Sequence, residues 1–365
     1  MNYTRFRADV NRNFFENKLN FAAGYVNTWK DYMRRSHATH QELNSNNFLR
    51  NKLWMQFSYN LSDQTQMGLG GSAEYVHTKS DTLTDNQMVY SFNATAFHRF
   101  SRKNWARINY WCNIDYPDLE QSSSYGSFVD SLNWVGGNPL LHSSVSHNVR
   151  LWIDLWSCFN VQTGYIYSPN RFCYLAEERE GALSNGGYGK YVAQTTVNSS
   201  YKEWWTSMSF TKRFLKDFLF KADVKYRRIH TNYHQFKNTG EDLSGTTSLR
   251  YFNEKHQLTV AFSYESENEF LVLPQKKSAS NNDYSTLSLN KSFFNQKLNI
   301  GMNYFLPICF SSGRDWEKEN SSILNHSIYI DQYKRNRNRL DFTIVYRFQG
   351  GKSVRQYNRD TSNEK

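Results

Sequence analysis

Residues 340–348 read Leu-Asp-Phe-Thr-Ile-Val-Tyr-Arg-Phe, so that every second side chain, beginning with the first, is apolar. Successive side chains of a β-strand point to opposite faces of a sheet, and this alternation therefore predicts a strand with one apolar face. The opposite face carries Asp341, Thr343 and Arg347, which suit an aqueous environment. The apolar face would contact lipid or a protein core. We expect this stretch to be the last strand of the fold.

The same period of two recurs upstream, in residues 53–61, 218–226, 258–264 and 298–306. In residues 218–226, for example, apolar side chains are interleaved with lysines and an aspartate. Tyrosine and phenylalanine supply much of the hydrophobicity, with 25 and 26 residues. Aromatic side chains are frequent in strands, and only 5 prolines interrupt the chain. The predicted fold class is all-β.

The composition places limits on how the chain could cross a membrane. The 365 residues carry a formal net charge of +11 and have a mean hydropathy of −0.77. There is no run of about 18 apolar residues, the length that predicts a transmembrane helix. A low mean hydropathy is compatible with membrane-spanning strands, because only every second residue of such a strand needs to be apolar. The first residues alternate like a strand and do not resemble a signal peptide, so we expect the exported protein to begin upstream of residue 1.

Two kinds of connection alternate along the sequence. Very short polar turns are predicted near residues 13–16, 62–64, 101–104, 157–160, 215–217, 253–256 and 294–296. Longer polar stretches lie between them, at residues 28–46, 78–87, 116–144, 168–200, 229–242, 266–283 and 307–325. In outer-membrane barrels, tight periplasmic turns and long outer loops lie at opposite rims. A soluble β-sandwich, the alternative for this composition, has no reason to sort its connections in this way. The sequence therefore predicts a transmembrane antiparallel up-and-down β-barrel in the cell outer membrane.

The turns also give a strand count. Seven short turns join fourteen strands, and the stretch that ends at residue 348 is a fifteenth; the count becomes sixteen if residues 328–333 form a separate strand. Closed single-chain bacterial barrels normally have an even number of strands, so fifteen predicts at least one further strand before residue 1. We assign residues 1–348 to the barrel and residues 349–365 to a polar periplasmic tail.

Tryptophans and tyrosines cluster near the predicted strand ends, where aromatic girdles would sit at the two membrane interfaces. The tryptophans concerned are Trp54, Trp105, Trp111, Trp152, Trp156, Trp204 and Trp205. The four cysteines, Cys112, Cys158, Cys173 and Cys309, show no ligand spacing. We interpret them as unpaired, with a loop disulfide as the alternative, because spacing alone does not assign a pair.

One segment resembles the barrels of TonB-dependent receptors. Residues 136–141 read Gly-Gly-Asn-Pro-Leu-Leu and precede a predicted strand that contains residues 146–151, as a Gly-Asn-Pro-x-Leu segment does in that family. Residues 142–144, His-Ser-Ser, stand in the place of the Lys-Pro-Glu stretch that is common there. The end, Tyr-Arg-Phe-Gln-Gly-Gly-Lys at residues 346–352, looks like the closing strand and tail of the related outer membrane protein beta-barrel family. Residues 290–300 are similar to the penultimate hairpin of that family.

The resemblance implies a function and a set of partners. Such receptors have a barrel of about 22 strands filled by an N-terminal plug, and this chain would be its C-terminal portion, without plug. They import a scarce nutrient (a metal chelate, cobalamin or a glycan) with energy from an inner-membrane complex that pulls on a TonB box. The implied partners are outer-membrane lipid and lipopolysaccharide, the plug domain and TonB complex of a full-length protein, a small nutrient ligand and a surface lipoprotein. The alternative function is a plugless porin or structural barrel.

The residues predicted to contact a ligand or plug lie in two regions. Arg335, Arg337, Arg339 and Asp341 share the polar face of the last strand, where they would line the barrel, pair with plug carboxylates or attract an anion. A solvated rim is the alternative for this basic run. Tyr188 and Tyr191 lie in the longest predicted outer loop, and binding residues concentrate on such loops. The basic residues form no patch that would indicate nucleic-acid binding.

No catalytic, metal or cofactor site is predicted. His142, Ser143, Ser144 and His147 are the densest cluster of potentially catalytic residues, but they lie at the Gly-Asn-Pro segment, and we predict that the chain is not an enzyme. The pairs His230 with His234 and His37 with His40 lack a third ligand, and a protein metal site needs three or four. Surface histidines are the preferred interpretation.

Overall fold

A computed structural model describes residues 2–35, 42–79, 84–118, 120–123, 125–184, 186–267, 270–294, 296–306, 317–322, 326–330 and 338–347. Every long regular element in these residues is a β-strand. The strands are β1 Asn2–Phe14, β2 Leu19–Arg35, β3 Glu42–Ser62, β4 Thr65–Lys79, β5 Thr84–Ser101, β6 Asn104–Asp115, β7 Gly126–Phe128, β8 Asn133–Gly136, β9 Ser144–Leu155, β10 Phe159–Ala182, β11 Tyr188–Phe214, β12 Phe218–Tyr233, β13 Phe236–Asn253, β14 Leu258–Glu267, β15 Phe270–Leu273, β16 Lys276–Phe293, β17 Leu298–Leu306, β18 Glu317–Ser322, β19 His326–Ile330 and β20 Arg339–Tyr346. In the described part of the chain, no helix is long and apolar enough to cross a membrane.

Fifteen of these strands form one antiparallel meander. Each strand pairs with the next in the order β1, β2, β3, β4, β5, β6, β9, β10, β11, β12, β13, β14, β16, β17 and β20. The predicted count of fifteen is therefore confirmed. Of the sixteenth candidate, residues 328–330 belong to β19, which pairs with the short strand β18, and residues 331–333 lie outside the described residues. Among the described residues, β1 pairs only with β2 and β20 pairs only with β17, so each has one paired edge.

Seven tight turns join strands of the meander at one end, which we call the lower end. They follow β1, β3, β5, β9, β11, β13 and β16, at the positions that the sequence predicts. Leu215 and Lys216, between β11 and β12, have φ values of 50° and 59°. Both residues therefore adopt the left-handed conformation, which lets three residues, 215–217, reverse the chain between the paired Phe214 and Phe218. The opposite, upper end carries the other connections, which range from two residues between β12 and β13 to the long connection between β6 and β9.

The two faces of the meander differ in chemistry. Its outer face carries large apolar side chains that are mostly exposed, such as Leu69 at 64%, Phe92 at 60% and Ile344 at 71%. The inner wall, which is the opposite face, contains buried polar side chains such as Glu74 and Asp242. Exposed apolar surface costs about 25 cal/mol per Å² in water, so an outer face of this composition requires lipid. The alternation in residues 340–348 holds as far as β20 extends, with Phe342 and Ile344 on the outer face and Asp341 and Thr343 on the inner wall.

The prediction of long loops is largely wrong, because strands continue through most of these stretches. β10 continues up to residue 182 and β11 begins at residue 188, so that five residues separate the two strands. Only two residues separate β12 from β13. Above the lipid both faces of a strand can be polar, so the alternation fades while the backbone ladder continues. Polar composition therefore does not separate these strand extensions from loops. The stretch 116–143 is a true connection, which leaves β6, forms β7 and β8, and returns to β9.

The predicted aromatic girdle is also largely wrong for the tryptophans. The register places Trp54, Trp105, Trp111, Trp152 and Trp205 on the inner wall, beside polar neighbours, and not in a girdle that faces lipid. Of the seven tryptophans predicted to form girdles, only Trp156 and Trp204 are among the exposed apolar residues. Cys112, Cys158 and Cys173 are free, as predicted, and Cys309 lies outside the described residues.

Gly164 in β10 is expected to be essential for the packing of this wall. A Cβ atom at Gly164 would lie 2.6 Å from atoms of the Trp205 ring, which covers the glycine from β11. We expect Gly164→Ala to displace the ring and to lower the free energy of unfolding by about 1–3 kcal/mol, the usual cost of overpacking. Urea unfolding in lipid vesicles, followed by tryptophan fluorescence, measures the change.

The matched control is Gly181→Ala in the upper part of β10. There the nearest atom to an added Cβ is on the Tyr191 ring at 3.4 Å, an ordinary contact distance. Equal unfolding curves for the two variants would contradict the packing role of Gly164.

Candidate functional site

Arginine and tryptophan side chains form the centre of the inner wall. Arg150 on β9 lies between two rings, 5.5 Å from the centroid of Trp111 and 5.1 Å from that of Trp205. Trp205 reaches Arg150 because Gly164, directly between them in the ladder, has no side chain. Cation–π contacts of this length are attractive and fix the guanidinium in place. The wall is therefore basic and aromatic at mid-height.

Two ion pairs on the inner wall hold further arginines. Arg227 on β12 and Asp242 on β13 stand opposite each other, with an Nη2–Oδ2 distance of 3.1 Å, and the carboxylate is buried. On β20, Arg339 and Asp341 pair at 2.9 Å between Nη2 and Oδ2, and the Arg339 guanidinium lies 4.1 Å from the centroid of the Phe305 ring. These arginines are neutralised within the wall.

The most buried carboxylate of the described residues is Glu74 on β4, whose side chain is 2% exposed. Lys52 on β3 donates to Glu74 Oε1 at 2.7 Å, and Arg50 lies 3.9 Å from Oε2. The hydroxyl of Tyr116, the first residue after β6, donates a short hydrogen bond to the same carboxylate. Burial and this bond raise the pKa of Tyr116 well above its usual range, so the hydroxyl stays protonated as a donor. Glu74 thus joins the inner wall to the beginning of the β6–β9 connection.

Tyr116 is also held by its ring. The Phe48 ring meets it edge-on at 5.6 Å between centroids, and the Arg50 guanidinium lies 5.4 Å from its centroid. Phe48 and Val76 form a buried apolar cluster against which Tyr116 packs. The chain therefore turns inward after β6 and crosses the inner wall towards β3 and β4.

The Gly-Asn-Pro segment anchors the other end of this connection. Asn138 donates from Nδ2 to the Thr196 carbonyl at 3.0 Å, and its Oδ1 accepts from the Leu140 N–H. Asn198 on β11 both donates to the His142 carbonyl and accepts from the His142 N–H, each at 3.0 Å. A Cβ at Gly137 would lie 2.4 Å from the Ser123 carbonyl oxygen, so only glycine fits there. Asparagine and glycine are thus required by backbone contacts at the upper end.

The connection borders a partly open cavity of about 420 Å³ with both polar and apolar walls. Its lining includes Asp118, Glu120, Tyr125, Tyr174 and Gln194. The hairpin of β7 and β8 beside it is held by Asp130, which accepts from the Leu132 and Asn133 N–H groups at 2.8 Å. These bonds, with that of Leu132 first, lower the pKa of Asp130 below its usual value.

The structure does not bring the predicted contact residues into one place. Tyr188 is exposed at the tip of the β10–β11 hairpin, whereas Tyr191 is half-buried and packs on Phe128 at 5.1 Å between ring centroids. Arg339 and Asp341 lie on β20, separated from β11 by five strands of the meander. Arg335 and Arg337 lie outside the described residues. A role of these residues in ligand or plug contact stays a prediction.

Sequence reasoning missed Lys52, Glu74, Tyr116 and Arg150. The first two could have been found by aligning the polar faces of neighbouring strands, because Lys52 and Glu74 are direct cross-strand partners. Tyr116 could not, since it reaches Glu74 through a connection and not through a ladder.

The histidine and serine cluster does not form a catalytic arrangement. The Ser143 and Ser144 side chains are buried, whereas the His142 ring is exposed and lies 3.5 Å from Asp85. His147 bonds the Tyr110 hydroxyl at 2.9 Å. Among the described residues, no group of three or more His, Cys, Asp or Glu side chains could hold a metal ion. His230 bonds Thr239, and His37 and His40 lie outside the described residues.

The fold is that of known outer-membrane receptors. The copper transporter OprC superposes with a TM-score of 0.55 at 8% identity, over 95% of this chain and 56% of that one. The siderophore receptor PirA from Acinetobacter baumannii gives a TM-score of 0.52 at 10% identity, over 83% of this chain and 50% of that one. No protein-family model matches the sequence, and no curated protein sequence matches it. The chain spans about half the length of the solved structures that it matches.

These likenesses confirm the predicted fold class, an antiparallel outer-membrane β-barrel fold of the kind found in TonB-dependent receptors. The location that goes with this fold is the cell outer membrane, and the apolar outer face described above requires lipid. The similar structures are described as those of a copper transporter and a siderophore receptor.

Proposed function

We propose that this chain is the barrel portion of an outer-membrane nutrient-uptake protein that works with a plug and a TonB-type energy source. The observation that carries the proposal is the combination of a basic, aromatic inner wall with a connection folded inward over it. Tyr116 ties that connection to Glu74 on the wall, and Asn138 and Asn198 tie it at the upper end. A passage whose entrance is held by specific polar contacts suits selective uptake better than free diffusion.

The nutrient itself is proposed only by class. The similar structures are described as a copper transporter and a siderophore receptor, which supports a metal or a metal chelate as cargo. Cobalamin and glycans are the other classes that the resemblance of the sequence implies. The cavity beside Tyr125 and Tyr174 is the proposed site of first contact, because its tyrosine rings can stack on a solute and its carboxylates can accept hydrogen bonds from it.

Energy-dependent uptake is the expected behaviour of cells that produce the whole protein. Accumulation of radiolabelled ferric chelates, copper(II) or cobalamin should fall at least about tenfold when a protonophore collapses the proton-motive force. Diffusion through an open pore would be unaffected, since it needs no inner-membrane energy. Uptake that survives the protonophore would favour the porin alternative, and uptake of none of these solutes would contradict a metal, a metal chelate or cobalamin as the nutrient.

A further inference from the structure

Four basic side chains converge on the inner wall of the first strands. Arg5 and Arg7 of β1 and Arg50 and Lys52 of β3 line a cavity of about 300 Å³. The register explains the convergence, because Arg5 and Arg50 are both cross-strand partners of Thr28 on β2. Neighbouring strands are about 4.8 Å apart, so long side chains from β1 and β3 can meet over β2.

The carboxylates nearby do not balance these charges. Asp9 pairs with Arg7, and Glu74 accepts from Lys52 at 2.7 Å while Arg50 approaches it only to 3.9 Å. Arg5 has no carboxylate within 4.0 Å in the part of the chain that the structure describes. The cavity therefore has an excess of positive charge at a partly desolvated site, where electrostatic interactions are stronger than in bulk water.

Two donors at this site also lack an acceptor. The Thr28 hydroxyl lies in the ladder row between Arg5 and Arg50, outside the lining of the cavity, and its side chain is 4% exposed and has no hydrogen-bond partner. Arg50 Nε is buried and equally without a partner. A buried donor without an acceptor is destabilising, so Arg50, which lines the cavity, would gain from an oxygen-bearing anion there.

We infer that this cavity binds a small molecule through a phosphate or carboxylate group. Guanidinium groups match the geometry of both oxyanions, and the Lys52 ammonium adds a compact charge. The remaining lining supplies neutral side chains, which include Trp54, Gln56, Ser91 and Asn93. The inference names a ligand chemistry for the inner wall of the proposed uptake route, and its biological meaning rests on that proposed function.

Titration of the full chain, folded in detergent micelles, tests the inference with pyrophosphate, citrate and glucose as probes. We expect pyrophosphate or citrate to bind, glucose not to bind, and Arg5→Gln to weaken the binding at least about tenfold. The control is Arg250→Gln, which removes the same charge from the inner wall at β13, away from the cavity. Binding of pyrophosphate alone would indicate a phosphate ligand, and binding of citrate alone a carboxylate ligand.

Two results would overturn the inference. One is the absence of binding for both anions, and the other is an equal loss in Arg5→Gln and Arg250→Gln, which would indicate a general field and no site. Arg5 makes no ion pair in the described residues, so Arg5→Gln should fold; heat-modifiable gel migration verifies this. Binding in micelles needs no transport, so an anion site without energised uptake would leave the inference standing and reject only the proposed function.

Discussion

Met208→Arg is expected to destabilise the folded barrel in lipid. Met208 lies on β11, seven residues before Leu215 at the lower turn, and its side chain is on the outer face and 47% exposed. A spanning strand has about 9–11 residues, so this position is near the middle of the membrane. Arginine on the lipid face there costs about 2–4 kcal/mol. Equilibrium urea unfolding in lipid vesicles should show a loss of this size.

The neighbouring residue provides the control. Ser209 points to the inner wall and stands opposite Asp223 on β12, so Ser209→Arg places the same charge beside water and a carboxylate. We expect its unfolding free energy to stay within about 0.5 kcal/mol of that of the unmodified chain, as for an ordinary exposed substitution. If both arginines cost the same, or if the purified chain is soluble without detergent, the assignment of the outer face to lipid is wrong.

The sequence predicts the meander well because the signals are local. Alternation assigns each residue of β12 or β20 to a face, and short polar turns fix where strands reverse, so both the register of hairpins and the strand count follow. The signal weakens where both faces are polar, and β10 and β11 therefore extend far into the stretch that was expected to be a loop. Aromatic residues mislead for a similar reason. Trp205 is of the residue type that forms girdles, but its position in the ladder places it on the inner wall.

The candidate site is less predictable because its contacts are not local. The Gly-Asn-Pro segment marks one anchor of the β6–β9 connection, and the backbone contacts of Gly137 and Asn138 explain its residues. The other anchor joins Tyr116 to Glu74 across 42 residues and across β5, which no pairing pattern connects. The distribution of charge has the same limit. The basic residues near Arg339 are close together in the sequence and are therefore easy to identify. Arg5 and Arg50 are distant in the sequence and come together only in the folded sheet.

Glu74→Ala is expected to destabilise the barrel more than any other single truncation of an ion pair described above. The substitution leaves the Lys52 ammonium and the Tyr116 hydroxyl without their acceptor in a buried site. Removing one partner of a buried pair costs about 3–5 kcal/mol, because the remaining charge stays desolvated. Urea unfolding in vesicles measures this loss, and hydrogen exchange should show faster exchange in residues 116–118 as the connection detaches.

The control for Glu74→Ala is an exposed pair of the same type. Glu241 and Arg228 lie 3.4 Å apart on β13 and β12, and both side chains are more than half exposed. Exposed pairs contribute about 0–1 kcal/mol, so Glu241→Ala should be nearly neutral. Tyr116→Phe separates the two roles of Glu74. It keeps the packing on Phe48 and the Lys52 pair but removes the hydroxyl, so exchange near residue 116 should rise while the barrel keeps most of its stability. A Glu74→Ala variant as stable as Glu241→Ala would mean that water or movement of Lys52 compensates the carboxylate, and the connection would then not be held by this contact.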